Sequence, residues 1–460
     1  MVKKQTTKIQ QVIQLIEARI ESHEILPGGQ LPSLRKLAKS LNFSVSTVLE
    51  AYERLVVENK IEVRHGSGYF VKQMPYTNHK IDLSSQYKMQ TDPFWIAHQS
   101  LIASDDHLKP GCGWLPTSWM PESIVRKSLK ELSNKPAKEL LTYSTVLGYE
   151  PLREVIAQRI NYYGTSIHHD QILLTESSTQ ALDIICRAHL NVGDTILVDD
   201  PCYFNFFTLF NLLKLQIIAI PFTPQGPDLN YFKEALKHSP KMYITNSGIH
   251  NPTGASLNIS TAYKVLKMAE EANVIIIEDD IYSDFEIIPS PRYASLSNFE
   301  NVIQISSFSK SLSSSFRCGY IAAETQYIKR LTQVKIATNF NCNQLSSVLV
   351  HQALKDTQYR RHFEYINQRL SHARAFVIQE LKQLEIVPWT IPKNGMFLWC
   401  QLPENVSATA LTENCRKDHL ILAAGTAFSH SKHADQFMRF NVAQSLEPHI
   451  FKTLKKHIQI

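Results

Sequence analysis

Apolar residues recur at helical spacing at Ile9, Val12, Ile13, Ile16 and Ile20, which predicts a first helix from about Thr7 to Ser22 before the Pro27-Gly28-Gly29 break. Ser33 then stands as a cap in front of LRKLAKSL, where Leu34, Leu37, Ala38 and Leu41 form one apolar stripe. A short second helix follows, and Asn42-Phe43 interrupts it. Ser44 caps a third helix, VSTVLEAYERLVVENK, with Val48, Ala51, Tyr52 and Leu55 turned inward. IEVRHGSGYFV changes the period from helix to strand. It reads as two short strands around a glycine-rich tip at His65-Gly66-Ser67-Gly68.

Beyond this hairpin the pattern is irregular from Gln73 to His107, with Pro75 and Pro93 stiffening parts of it. The rest of the chain alternates strand-like runs with helical patterns: ILLT, TILVDD, LQIIAI, KMYITN, NVIIIEDD and NVIQISS. The expected organisation is therefore a small domain at 1–73, a linker at 74–107 and a large domain at 108–460. Alternation over such a length predicts an α/β fold with a mostly parallel sheet covered by helices on both faces, its ligands gathered at the strand C-terminal ends. Three helices plus a hairpin, with a short turn between the second and third helix, predict a winged helix-turn-helix for the small domain.

Composition narrows the class. With 43% hydrophobic and 20% charged residues the chain can pack nearly throughout, which excludes extended disorder. No apolar run reaches the roughly 18–20 residues that cross a bilayer, and MVKKQTTKIQQ lacks the apolar core of a signal peptide, so a cytoplasmic protein with no membrane partner is expected. The seven cysteines (Cys112, Cys186, Cys202, Cys318, Cys342, Cys400, Cys415) are dispersed without CxxC spacing; reduced, packed thiols and no metal site are expected. Net charge is +6, and residues 1–73 carry eleven Lys/Arg against seven Asp/Glu. A small basic module fits nucleic-acid binding, although a solvated basic face would look the same.

The stretch LPSLRKLAKSLNFSVSTVLEAYERLVVENKIEVRHGSGYFV resembles the DNA-binding domain of the GntR family, from its LPS entry to its GSGYFV wing. The resemblance implies double-stranded DNA as partner, with the third helix in the major groove and Ser44, Ser46 and Thr47 at its leading end. Arg35 is then placed to clamp a phosphate, and His65 and Gly66 at the wing tip to approach the backbone or minor groove. Plainer readings stay open: Ser44 as a cap only, Arg35 as a solvated charge. The family often has Arg where this chain has Val45, so a base-reading contact is in doubt.

NSGIHNPTG after KMYITN, IYSDF after NVIIIEDD, and FSKSLSSSFRCGY after NVIQISS are together similar to fold-type I aminotransferases. Joined to a GntR-like head they resemble the MocR subfamily. The resemblance implies pyridoxal 5'-phosphate as cofactor, with Lys310 as the amine that takes its aldehyde and Asp279 as the carboxylate facing the ring nitrogen. Asp280 competes for that role; Tyr282, three residues after Asp279, favours Asp279. Tyr282 and Asn251 would bond the ring oxygen, and Tyr203 would stack on the ring. Ser307, Arg317, Ser178 and Thr179 would grip the phosphate, the last two at a helix start. Where the family commonly has Gly this chain has Ser177.

Tyr143 matches a tyrosine that reaches the phosphate from a neighbouring subunit, which implies a homodimer. Arg439, before the strand-like RFNVA, matches the arginine that forks onto an amino-acid carboxylate. Trp114 would wall the entrance or pack in the core. Two functions follow. One is a transcriptional regulator sensing an amino acid, an amine or the cofactor itself; the other is a working aminotransferase with an appended DNA-binding head. The maintained polar positions of the head favour the regulator.

Overall fold

The computed structural model describes residues 7–21, 24–25, 28–64, 66–72, 101 and 106–458. The chain divides into two compact units, 1–86 and 87–460. Most of the expected linker lies outside the described residues. His107, counted with it, already rests edge-on against the His419 ring at 4.7 Å.

The first unit is built from α1 (Lys8–Glu21), α2 (Leu34–Leu41), α3 (Val45–Val57) and the antiparallel pair β1 (Ile61–Arg64) and β2 (Gly68–Val71). Each boundary has a local cause. Ser33 Oγ accepts from the Lys36 amide and Ser44 Oγ from the Thr47 amide, the two expected caps. Asn42, left-handed at φ 56, ends α2. The expected third helix ran on to Lys60; α3 stops at Val57, and Asn59 at φ 65 turns the chain into the wing. Val12, Ile16, Leu37, Val48, Ala51, Tyr52 and Leu55 make its core, so the helical stripes read from the sequence are the buried ones. Gln30 bridges to Phe70, giving the hairpin a third edge.

The second unit holds an eight-stranded sheet of order β3-β10-β9-β8-β7-β4-β5-β6. Its strands are β3 (Ile172–Thr175), β4 (Thr195–Asp200), β5 (Gln216–Thr223), β6 (Gly226–Pro227), β7 (Met242–Thr245), β8 (Ile275–Asp279), β9 (Val302–Ser307) and β10 (Gly319–Ala322). The five central strands, from β9 to β5, run parallel. Because helices cover both faces, these strands are apolar on both sides. Ile196, Val198, Ile244, Ile277, Ile303 and Ile305 pack into one core, and their neighbours Leu197, Tyr243, Ile276 and Val302 into the other. β10 runs antiparallel to both β3 and β9, a strand absent from the runs read off the sequence.

A second, four-stranded antiparallel sheet near the C-terminus joins β11 (Val387–Pro388), β12 (Phe397–Gln401), β13 (Ala423–Ala424) and β14 (Phe437–Asn441). Arg439 was expected before a strand; it sits in the middle of β14, paired with Trp399 of β12. No helix among the described residues is long and apolar enough to cross a membrane.

Candidate functional site

The loops that leave the C-terminal ends of the parallel strands, with the start of helix Ser178–His189, enclose one cavity. Its wall is made by Ser177, Ser178, Thr179, Tyr203, Asn246, Asn251, Asp279, Ile281, Tyr282, Ser309, Lys310 and Arg317. The cavity is small, about 120 Å³, and most of its wall is polar. Eight of the ten expected cofactor residues are in this wall. Ser307 and Tyr143 are not.

Lys310 follows β9, and Trp114 faces its Nζ at 5.7 Å from the ring centre. Burial, with the Arg439 guanidinium as the next contributor, lowers its amine to about 8. Asp279, the last residue of β8, is raised to about 7 by burial, although it accepts from the Ile281 amide. Asp280 points the other way. Its carboxylate takes the Arg292 Nε at 2.9 Å and faces a wider cleft shared with Gln304 and Glu286. Strand alternation therefore separates the two candidates, and Asp279 is the one in the cavity.

The Asn251 amide approaches the Tyr282 hydroxyl at 3.4 Å, and its Oδ1 accepts from Arg439 at 2.7 Å. Arg439 is buried, lies between the rings of Phe397 and Phe428, and donates also to the Gly111 carbonyl at 2.6 Å. Its Nε has no hydrogen-bond partner among the described residues. The guanidinium is thus held on neutral oxygens only, each a weaker partner than a carboxylate.

Ser178 and Thr179 open their helix, so their amides and hydroxyls converge at its positive end. Ser177 takes the N-cap with extended backbone at φ −172, a conformation open to any residue, so the missing glycine costs nothing here. Arg317 adds a guanidinium from a left-handed position at φ 46. Ser307 ends β9 just behind the wall, its hydroxyl 3.0 Å from the Cys318 carbonyl and 3.1 Å from the hydroxyl of Ser309, which does line the cavity. Asn246 was also missed. It donates to the Asp279 carbonyl at 3.1 Å, and the signal was a polar residue closing the KMYITN run.

Tyr143 is 79% exposed and packs on Phe340 with ring centres 5.5 Å apart, away from its own chain's cavity. Leu141, Val146, Ile336, Phe340 and Leu345 are also exposed. Bonds from Asn341 to the Ser144 carbonyl and from Gln344 to the Glu139 carbonyl tie the two segments that carry these residues together. The exposed apolar side chains therefore lie on two segments that are bonded to each other.

In the first unit, Ser44, Ser46 and Thr47 form a hydroxyl cluster at the start of α3, with Ser44 Oγ 2.9 Å from Ser46 Oγ and 2.7 Å from Thr47 Oγ1. Ser44 is thus a cap whose hydroxyl is already engaged. Arg35 is exposed on α2, and Lys36 and Lys39, which the sequence reading passed over, are exposed beside it. None of the three has an ion pair among the described residues, whereas Arg54, Lys60 and Arg64 are each paired with glutamates. Gly66 is exposed at the wing tip at φ 76; His65 lies outside the described residues.

Comparison with known proteins agrees with this division. Residues 117–450 match the family of class I and II aminotransferases, and residues 8–71 match the gntR family of bacterial regulatory proteins. The chain is 26% identical to the uncharacterized HTH-type transcriptional regulator YdfD of Bacillus subtilis (strain 168), over 93% of this chain and 91% of that protein. It is 26% identical to the HTH-type transcriptional regulator NorG of Staphylococcus aureus (strain USA300), over 80% and 86%. Among solved structures, Pyrococcus horikoshii kynurenine aminotransferase in complex with PMP superposes with a TM-score of 0.73 at 26% identity, covering 82% of this chain and 97% of that one.

Proposed function

The chain belongs to the family of class I and II aminotransferases, and from that premise we propose a DNA-binding transcriptional regulator of MocR type. Its large domain carries pyridoxal 5'-phosphate and senses an amino acid, an amine or the cofactor itself. The observation that carries the reading is the meeting of Lys310, Asp279, Ser178, Thr179 and Arg317 on one cavity, in a chain that begins with a winged helix.

The donor set fits the cofactor part by part. A dianionic phosphate suits the helix start at Ser178 and Thr179 with the Arg317 guanidinium and the Ser309 hydroxyl. A ring nitrogen that must keep a proton suits a buried carboxylate, Asp279. Tyr282 and Asn251 offer hydrogen bonds to a ring oxygen, and Tyr203 offers an aromatic face. Bound there, the group supplies an aldehyde that condenses with primary amines and a ring that withdraws electrons. Lys310 provides the amine at rest, and as a free base it would accept or return a proton within the cavity. Arg439 holds the effector's carboxylate by exchanging its neutral oxygen partners for a charged one.

The exposed surface around Tyr143 supports a homodimer in which a second copy brings that tyrosine to the phosphate. Effector binding then shifts how the paired heads engage DNA. Reconstitution and DNA binding test the reading together. Protein loaded with the cofactor should absorb as a lysine-bound form that Lys310→Ala lacks, and should bind the DNA upstream of its own coding region with an affinity that an amino acid or amine changes. Absence of DNA binding, or many turnovers on an amino donor and a keto acid at roughly 1–1000 per second, would replace the regulator with the enzyme.

A further inference from the structure

Lys335 lies near the end of helix Thr325–Asn339, and Cys342 in the turn that leads to helix Gln344–Lys355. Lys335 is fully buried and Cys342 half-buried. The lysine Nζ lies 2.9 Å from the Val146 carbonyl and 2.8 Å from Cys342 Sγ, so neither partner is a carboxylate. The same sulfur is 2.9 Å from the Leu174 carbonyl. Sulfur is larger than oxygen, and 2.8 Å, ordinary for N–H to oxygen, is short for a hydrogen bond to sulfur. It is also far longer than a direct nitrogen–sulfur bond. One oxygen atom, singly bonded to each side, spans such a gap with little movement of either residue.

We propose that Lys335 and Cys342 are an oxidative modification site, at which a single oxygen atom joins Nζ to Sγ. The oxidant is a hydroperoxide such as hydrogen peroxide. A first equivalent converts the thiol to a sulfenic acid and leaves as water, the sulfur losing two electrons. A second equivalent takes one hydrogen from the sulfenic O–H and one from the amine N–H, leaves as two waters, and the nitrogen–oxygen bond forms as nitrogen loses two electrons. The geometry favours this outcome because the amine nitrogen already lies 2.8 Å from the sulfur that carries the new oxygen, and the other near neighbour, the Leu174 carbonyl, has no hydrogen to give. Burial holds the Cys342 thiol above its ordinary pKa, so the first step is slow and needs sustained exposure.

The bridge would close a ring around Phe340, on which Tyr143 packs. Its effect on the subunit contact rests on the dimer reading above; the bridge itself does not. The test uses the wild-type protein. After peroxide treatment, trypsin should no longer cut at Lys335, because the amine it recognises is bonded. Leu331–Lys355 should appear as one peptide carrying one oxygen more and two hydrogens fewer, and dithiothreitol should restore the separate Leu331–Lys335 peptide. Lys335→Arg and Cys342→Ala should each abolish the uncut product. Normal cleavage at Lys335 with Cys342 alkylated in full, or oxidised alone to sulfenic or sulfinic acid, would overturn the proposal. So would a product that has lost two hydrogens without gaining oxygen, since that is a direct nitrogen–sulfur bond.

Discussion

Lys310 and Asp279 are moved from their ordinary ionisation by the same cause, burial, in opposite directions. The lysine goes down to about 8 and the aspartic acid up to about 7. Each shift disfavours the charged form. An amine must be unprotonated to attack an aldehyde, and lowering its pKa raises that fraction at neutral pH. Below its pKa the free fraction grows with pH, so the rate at which the lysine-bound absorption appears should climb roughly tenfold per pH unit and flatten above about 8. Rapid-mixing absorbance checks this, and a rate still climbing toward the ordinary lysine value of 10.5 would contradict the buried environment. The folded-state shift also has a sign for stability. In the cofactor-free protein the Lys310 penalty is fully present below about 8 and is relieved as pH rises toward 10.5. At this scale the motif residues were legible because the chemistry allows few residue types. A motif gives position along the chain and not hydrogen-bond partners, so only the structure places the Ser307 hydroxyl against the Cys318 carbonyl.

The elements were legible in proportion to how local their causes are. The three helices of the first unit carry caps and apolar stripes within their own sequence, and the parallel strands are buried on both faces and so read as continuous apolar runs. β10 and the C-terminal sheet are held by pairings between distant segments, such as Phe397–Gln401 with Phe437–Asn441, and apart from the strand-like RFNVA no local pattern announces them. The α2 cations likewise needed the structure, since only there does it emerge which basic residues of the head lack a glutamate partner. Arg35 and Lys39, four residues apart, share one face of α2. If that face lies on the DNA backbone, Arg35→Ala and Lys39→Ala together should lower the slope of log affinity against log salt by about two. Arg54→Ala, its charge already bonded to Glu50 at 2.7 Å, should leave that slope nearly unchanged. Ser44→Ala should act differently, weakening α3 by about 1 kcal/mol through the lost cap, seen as faster amide exchange near Thr47.

At the scale of the molecule the proposed homodimer makes a claim about which chain completes which site. Tyr143 is exposed and stacked on Phe340 within an apolar surface, and it is missing from the cavity that holds Lys310. A tyrosine hydroxyl bonded to a charged phosphate contributes about 1.5–3 kcal/mol, so Tyr143→Phe should weaken cofactor retention tenfold or more while leaving the apolar contact in place. Retention alone does not say whose site the tyrosine serves, and mixing subunits does. In a mixed dimer of Lys310→Ala with Tyr143→Phe, service across the interface pairs the intact lysine of one chain with the intact tyrosine of the other in one site, and gathers both defects in the second. Random reassociation of equal amounts should then restore about a quarter of all sites to tight binding, which neither parent possesses. Service within the chain predicts no tight sites at all after mixing, because every lysine-bearing site would still lack its tyrosine hydroxyl. Titration of the mixture at limiting cofactor separates the two outcomes, and the second would leave the exposed surface around Phe340 without its proposed partner.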